Sequence, residues 1–201
     1  AAIFFDSHGR AFAIPAHSLP SARSQGEALT SRIKSQAGGF DAVTMGGDEQ
    51  RVFLASDAGY GFIAKLVDLQ TKNKSGKAVL KVPEGGHVLA ICQVNDIKNQ
   101  QLVVATNMGR LLLFPISELP ELAKGKGNKI IAIPTTKYKA KEEWVVGVAV
   151  LAEKDKLILF SGKRKLTLKQ KDLTHYIGSR AQRGSKLPRG YQQVSSIAVE
   201  I

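Results

Sequence analysis

The side chains of this sequence that could do chemistry are cationic. Between Lys163 and Arg189 stand Lys163, Arg164, Lys165, Lys169, Lys171, Arg180, Arg183, Lys186 and Arg189 against Asp172 alone, a local excess of eight in a chain whose formal net charge is +12. Ammonium and guanidinium groups at this density neutralise phosphates, and glycines among them let a backbone approach a phosphate closely. Two further clusters share the composition. Lys72, Lys74, Lys77 and Lys81 lie between Leu69 and Pro83 without an acidic residue, and Lys124, Lys126 and Lys129 follow in "LAKGKGNKII". A weaker one holds Arg23, Arg32 and Lys34, partly offset by Glu27.

Other chemistries find little support. His8, His17, His87 and His175 are scattered, and no pair has metal-ligand spacing beside a cysteine or carboxylate. "GKGNK" is half a phosphate loop: it lacks the full G-x-x-x-x-G-K-[ST] pattern and follows a turn, not a strand. No serine sits in G-x-S-x-G. The chain therefore reads as non-enzymatic, with no cofactor or metal of its own. The single Cys92, in the apolar run "VLAICQV", reads as a small core residue in a reducing, cytoplasmic setting. No apolar run approaches the roughly 20 residues of a membrane span. The opening "AAIFFDSHGR" has no signal-peptide features and starts mid-strand without an initiator Met, so a fragment of a longer chain is expected. Phe4, Phe5, Phe53, Phe62 and Phe114 fall in strand-like runs. Tyr138, Tyr176 and Tyr191 alone lie near basic segments, too few for a base-stacking platform, which favours duplex over single-stranded nucleic acid.

What positions the cations is a repeat. "FFDSHGRAFAIPAHSL", "LASDAGYGFIAKLVDL", "VATNMGRLLLFPISEL" and "ILFSGKRKLTLKQKDL" end at Leu19, Leu69, Leu119 and Leu173, spacings of 50, 50 and 54 residues. Gly9, Gly59 and Gly109 keep the period, and Gly162 serves in a fourth turn one residue shorter. Each copy opens with two β-rich runs joined by a Ser/Asp/Asn-x-Gly turn, a hairpin signal. A "-DL" or "-EL" corner follows, then a basic loop ("ARSQGEAL", "TKNKSGKAVL", "LAKGKGNKII", "SRAQRGSKLPRG"), then two more strand-like runs. "LVVA", "LLLF" and "WVVGVAV" are apolar throughout instead of alternating, so both sheet faces must be covered, and without helical periodicity the cover must be other sheets. Four-stranded antiparallel blades packed face to face in a propeller-like array meet these demands within 201 residues. Equivalent loops would then line one rim, forming a basic arc suited to a bent polymer of phosphates.

The hairpins "SDAGYGFIAKLVDL" and "TNMGRLLLFPISELP", the loop "KGKGNKIIAIP" and the ending "GKRKLTL" resemble the C-terminal domains of bacterial DNA gyrase and topoisomerase IV A subunits. The resemblance spans essentially the whole chain, and "PSARSQGEALTSRI" and "MGGDEQRVFLASDAGYGF" bring it nearer the topoisomerase IV branch. It implies an all-β fold, a β-pinwheel of about four to five four-stranded blades that exchange strands, forming one domain over 1–201. It implies a non-catalytic module that binds and bends duplex DNA beside a catalytic core, helping select the segment for decatenation and relaxation. Cleaving tyrosine, ATP and Mg sites would lie elsewhere in the enzyme, with the rest of the topoisomerase IV A subunit and its B subunit as partners on the nucleoid. Chromosome-organising proteins are further candidate partners. The Q-R-R-G-G-K-G box of gyrase is absent, "AQRGSKLPRG" being a loose echo, which counts against gyrase-like wrapping. The alternative is a protein-interaction propeller whose basic rim engages acidic partners, and steep salt dependence separates the two.

Overall fold

The structure, a computed structural model, describes residues 1–201. The first repeat forms β1 (Ala2–Asp6), β2 (Arg10–Ile14) and β3 (Phe40–Met45). The second forms β4 (Arg51–Ser56), β5 (Tyr60–Lys65), the short helix α1 (Leu66–Leu69), β6 (Lys77–Ala78) and β7 (Cys92–Val94). In the third are β8 (Gln101–Thr106), β9 (Arg110–Pro115), β10 (Asn128–Lys129), α2 (Thr135–Lys139) and β11 (Val145–Leu151). The fourth contributes β12 (Lys156–Ser161), β13 (Arg164–Leu168), α3 (Gln170–Leu173), β14 (Ser185–Lys186) and β15 (Ser196–Glu200). The expected hairpins are all present and antiparallel.

The sheets cross the repeat boundaries. Strand orders are β3-β1-β2-β6, β10-β5-β4-β7, β11-β8-β9-β14 and β13-β12-β15. The outer strand beside each of the first three hairpins thus comes from the basic loop of the following repeat: β6 pairs with β2, β10 with β5 and β14 with β9. This corrects the expectation of four strands in every blade. The fourth blade has three strands within these residues, and β13, its outer strand, carries exposed Arg164 and Lys165.

The periodic glycines make the exchange sterically possible. Gly9 sits at φ 77, and a Cβ there would lie 1.9 Å from the carbonyl oxygen of Leu80 in the next repeat. Its own carbonyl accepts the Leu80 N–H at 3.0 Å, as Gly59 accepts Ile130 and Gly109 accepts Leu187 at 2.9 Å each. The side chain of Asp6 secures the first turn by accepting the His8 and Arg10 N–H groups at 3.0 Å. In the first three repeats one glycine therefore serves both the turn and the close passage of a neighbour.

The core lies between blades and explains the unbroken apolar runs. On β4, Val52 and Leu54 pack toward Ile3, Phe5 and Ala11 of the first blade, whereas Phe53 and Ala55 pack toward Leu102, Val104 and Phe114 of the third. On β8, Val103 and Ala105 meet Leu157 and Leu159 of the fourth. Alternate residues of one strand serve two different interfaces, so the central positions of β4 and β8 are apolar on both faces. Cys92 borders the core between the second and third blades, where burial pushes its thiol up to about 11.

Candidate nucleic-acid interface

The second, third and fourth basic loops are each fastened at the hairpin of the preceding blade. Arg10, which opens β2, donates from Nε to the Ser75 carbonyl at 3.0 Å and from Nη2 to that of Gly76 at 2.9 Å. Arg110 opens β9 and donates to the Gly184 carbonyl at 3.2 Å. At the same place on β5 stands Tyr60, with the Lys126 ammonium 3.8 Å from its ring centroid, a cation–π contact. Gly127 follows at φ 76, and a Cβ on it would lie only 2.1 Å from the Gly61 carbonyl oxygen. The basic loops are thus the outer strands of the blades and their flanks, and their cations project from a fixed backbone. The first loop differs: residues 20–28 are all exposed, and Gly26 has open space where its counterparts meet a neighbouring strand.

Of the basic residues singled out from the sequence, Arg23, Lys34, Lys72, Lys74, Lys124, Lys126, Lys129, Lys163, Arg164, Lys165, Lys186 and Arg189 are exposed. Four are half-buried and occupied by acceptors within the chain. Arg32 donates to Glu27 and to the Ser18 carbonyl, and Lys77 to the Asp68 carbonyl at 2.6 Å. Arg180 donates to the Lys129 carbonyl at 2.8 Å. Arg183 is held by Glu143, which is wholly buried. Hydrogen bonds from Arg32 and then Ser31 hold the Glu27 carboxyl below its ordinary range, so one of the three cations of the first cluster is paired within the chain. The fourth repeat, by contrast, presents Lys163 in its hairpin turn and Arg164 and Lys165 on β13 with no carboxylate partner, Arg164 donating to the Gly190 carbonyl at 3.4 Å.

Sequence reasoning missed three things. The fastening roles of Arg10 and Arg110 had one available signal, their shared place after the turn glycines. Tyr176 is core, 6% exposed, and no aromatic of the surface. Tyr60, Tyr138 and Trp144, far apart in sequence, line a single cavity with Lys126, Lys129, Lys139 and Lys141. No group of three His, Cys, Asp or Glu side chains is placed to hold a metal ion, and no helix is long and apolar enough to cross a membrane.

Face-to-face antiparallel blades joined by exchanged outer strands, with cations on those strands, define a propeller-class domain of the β-pinwheel type. A family model described as the DNA gyrase C-terminal domain, β-propeller, matches residues 50–95 and 100–152. The DNA topoisomerase 4 A subunit of Pseudomonas aeruginosa is 51% identical over 201 residues, 100% of this chain and 27% of that protein. Its Haemophilus influenzae counterpart is 45% identical over 94% of this chain and 25% of its own length. Among solved structures, the E. coli ParC C-terminal domain superimposes with a TM-score of 0.88 at 40% identity, over 99% of this chain and 80% of that one. A DNA gyrase A C-terminal domain shares the fold at a TM-score of 0.75 and 17% identity, over 100% of this chain and 65% of that one. The chain belongs to the family of C-terminal domains of the DNA gyrase and topoisomerase IV A subunits. It spans about a quarter of the length of the curated relatives it matches.

Proposed function

We propose that this chain is the duplex-DNA-binding and bending domain of a topoisomerase IV A subunit, helping to choose the DNA segment and crossing geometry used in decatenation and relaxation. The observation that carries the reading is the identity of the exchanged strands and the basic loops: exposed Lys129 and Lys186 lie in β10 and β14 themselves, and exposed Lys72 and Lys74 lead into β6. Cations repeated on a fixed backbone, blade after blade, offer a duplex a series of phosphate contacts that follow the array. Such contacts track the backbone and carry no base readout, so binding is sequence-tolerant. Following a curved margin bends the duplex, at an elastic cost that further phosphate contacts offset.

In this reading the domain supplies no nucleophile. Strand cleavage, ATP and Mg²⁺ belong to other parts of the longer polypeptide and to the B subunit, and this chain sets which DNA reaches them. The weaker charge of the first loop and the dense exposed charge of Lys163, Arg164 and Lys165 make the fourth repeat the strongest anchoring point. The test is a pair of titrations on a linear duplex of about 40 base pairs at about 50 and about 200 mM salt. A loss of at least tenfold, with little sequence preference, is expected for several phosphate contacts, and ring-closure of short duplexes then reads the bend. Absence of binding at the lower salt overturns the DNA reading and assigns the basic margin to an acidic protein partner.

A further inference from the structure

The cavity between the second and third blades differs from its counterpart one blade earlier. It measures about 790 Å³ and lies between the β4–β5 turn and the segment running from Ile131 through α2 to Trp144. Three aromatic side chains, Tyr60, Tyr138 and Trp144, share its wall with the ammonium-bearing Lys126, Lys139 and Lys141. The equivalent cavity, between the β1–β2 turn and residues 82–87, is about 460 Å³ and contains neither a lysine nor a Phe, Tyr or Trp. The combination is therefore a property of this site and does not follow from blade packing alone.

Its parts are held in place. The Tyr138 hydroxyl donates to Asp57 Oδ1 at 2.6 Å, which fixes the ring against the turn. Lys126 already caps one face of Tyr60. Lys141 sits at φ 56, a left-handed conformation that costs a non-glycine residue about 1 kcal/mol or more. The strain sets a cation at the mouth of the cavity, where glycine would be the cheaper occupant. Of the two carboxylates in the lining, Asp57 is buried and engaged by Tyr138, and Glu84 is exposed.

Aromatic walls, a cationic mouth and one exposed carboxylate complement a planar base joined to a phosphate. A duplex does not enter so small a space, and the volume lies within the range of small-molecule sites. We propose that this cavity takes one unpaired nucleotide, its base against Tyr60, Tyr138 and Trp144 and its phosphate among Lys126, Lys139 and Lys141. Glu84 accepts from an exocyclic amine of the base, so adenine and cytosine are favoured over thymine. The nucleotide is free or is extruded from DNA held on the adjacent basic strands. The second source rests on the DNA reading above, whereas the cavity's chemistry does not.

Trp144 is the only tryptophan of the chain and reports directly on occupancy. The experiment titrates its emission in the 201-residue chain with three probes: adenosine monophosphate, a duplex of about 20 base pairs with one bulged adenosine, and the same duplex fully paired. The bulged duplex is expected to quench Trp144 and bind about tenfold tighter than the paired one, as stacking of one base allows. A thymidine bulge should bind more weakly than the adenosine bulge. A Lys139→Gln, Lys141→Gly double variant, which relieves the backbone strain and so retains the fold, should erase the bulge preference and leave paired-duplex affinity within about twofold. If the mononucleotide alone quenches and no duplex binds, the cavity stands as a free-nucleotide site and the DNA reading falls. Equal binding of bulged and paired duplex with unchanged Trp144 emission for every probe overturns the proposal.

Discussion

Arg183 grips Glu143 in a two-pronged pair, Nη1 to Oε1 at 2.8 Å and Nη2 to Oε2 at 2.5 Å, with the carboxylate wholly buried. The same guanidinium donates to the Ala132 carbonyl at 3.2 Å, and the backbone beside it continues the contact, Ala132 N–H to Gln182 at 2.9 Å. The pair ties the third repeat to the loop that donates β14. Replacing Arg183 with Met strands a buried charge, at a cost of about 3 kcal/mol. Thermal or urea unfolding should show that loss, while duplex affinity of the folded fraction stays near the parent value. A large affinity loss without destabilisation would reassign Arg183 to the interface.

Neutralising Lys163, Arg164 and Lys165 to Gln together should weaken duplex binding more than the same change at Arg23, Arg32 and Lys34. The first set is exposed in the β12–β13 turn and on β13 with no carboxylate partner, whereas Arg32 is paired with Glu27 at 2.6 Å. Each lost phosphate contact lowers the slope of log affinity against log salt by about 0.9. Anisotropy titrations across salt concentrations therefore count contacts directly, and equal slopes for the two triples would remove the gradation.

Gly127 and Gly38 offer a matched steric test. Both have positive φ, 76 and 75, yet a Cβ on Gly127 meets the Gly61 carbonyl oxygen at 2.1 Å and one on Gly38 meets nothing within 4 Å. Alanine at Gly38 should cost about 1 kcal/mol from backbone strain alone. Alanine at Gly127 should cost clearly more, because β10 must separate from β5 to admit it. The difference, read from denaturant midpoints, isolates the close passage of exchanged strand and hairpin.

Cys92 provides a pH prediction. Burial raises its thiol from 9.0 to about 11 in the folded chain, so the thiolate fraction at pH 8 is lower by about a hundredfold. Alkylation should be correspondingly slow until the chain is unfolded in denaturant. Because the folded value is the higher one, stability is unaffected below about pH 9 and falls as pH rises from 9 toward 11. Stability that is flat across that window in the parent, or equally steep in Cys92→Ala, would contradict the burial of this sulfur.

The hairpins and their period were legible because each depends on local chemistry: Gly9, Gly59 and Gly109 mark turns that any chain of this composition must make. The exchange of strands was not legible from the residues themselves. β6, β10 and β14 are two residues long, too short for any periodicity, and the strands they complete lie in the preceding repeat. Charge counting found the exposed cations of the loops but could not tell Lys74, which is free, from Arg183, whose partner Glu143 lies 40 residues away. The cavity was hidden for the same reason. "TTKYK" reads as one more charged turn until α2 sets Tyr138 and Lys139 across from Tyr60.

The outer strand of each early blade is supplied about 65 to 75 residues after the hairpin arm it joins, as Lys77 joins Ala11 and Lys186 joins Arg110. On a ribosome, a blade therefore cannot close until most of its successor has been synthesised. The growing chain always carries one unfinished edge, which the next basic loop seals as it emerges, so folding advances along the array one step behind translation. Order of synthesis thus becomes a safeguard: each open edge meets its own partner first, before a foreign strand can reach it.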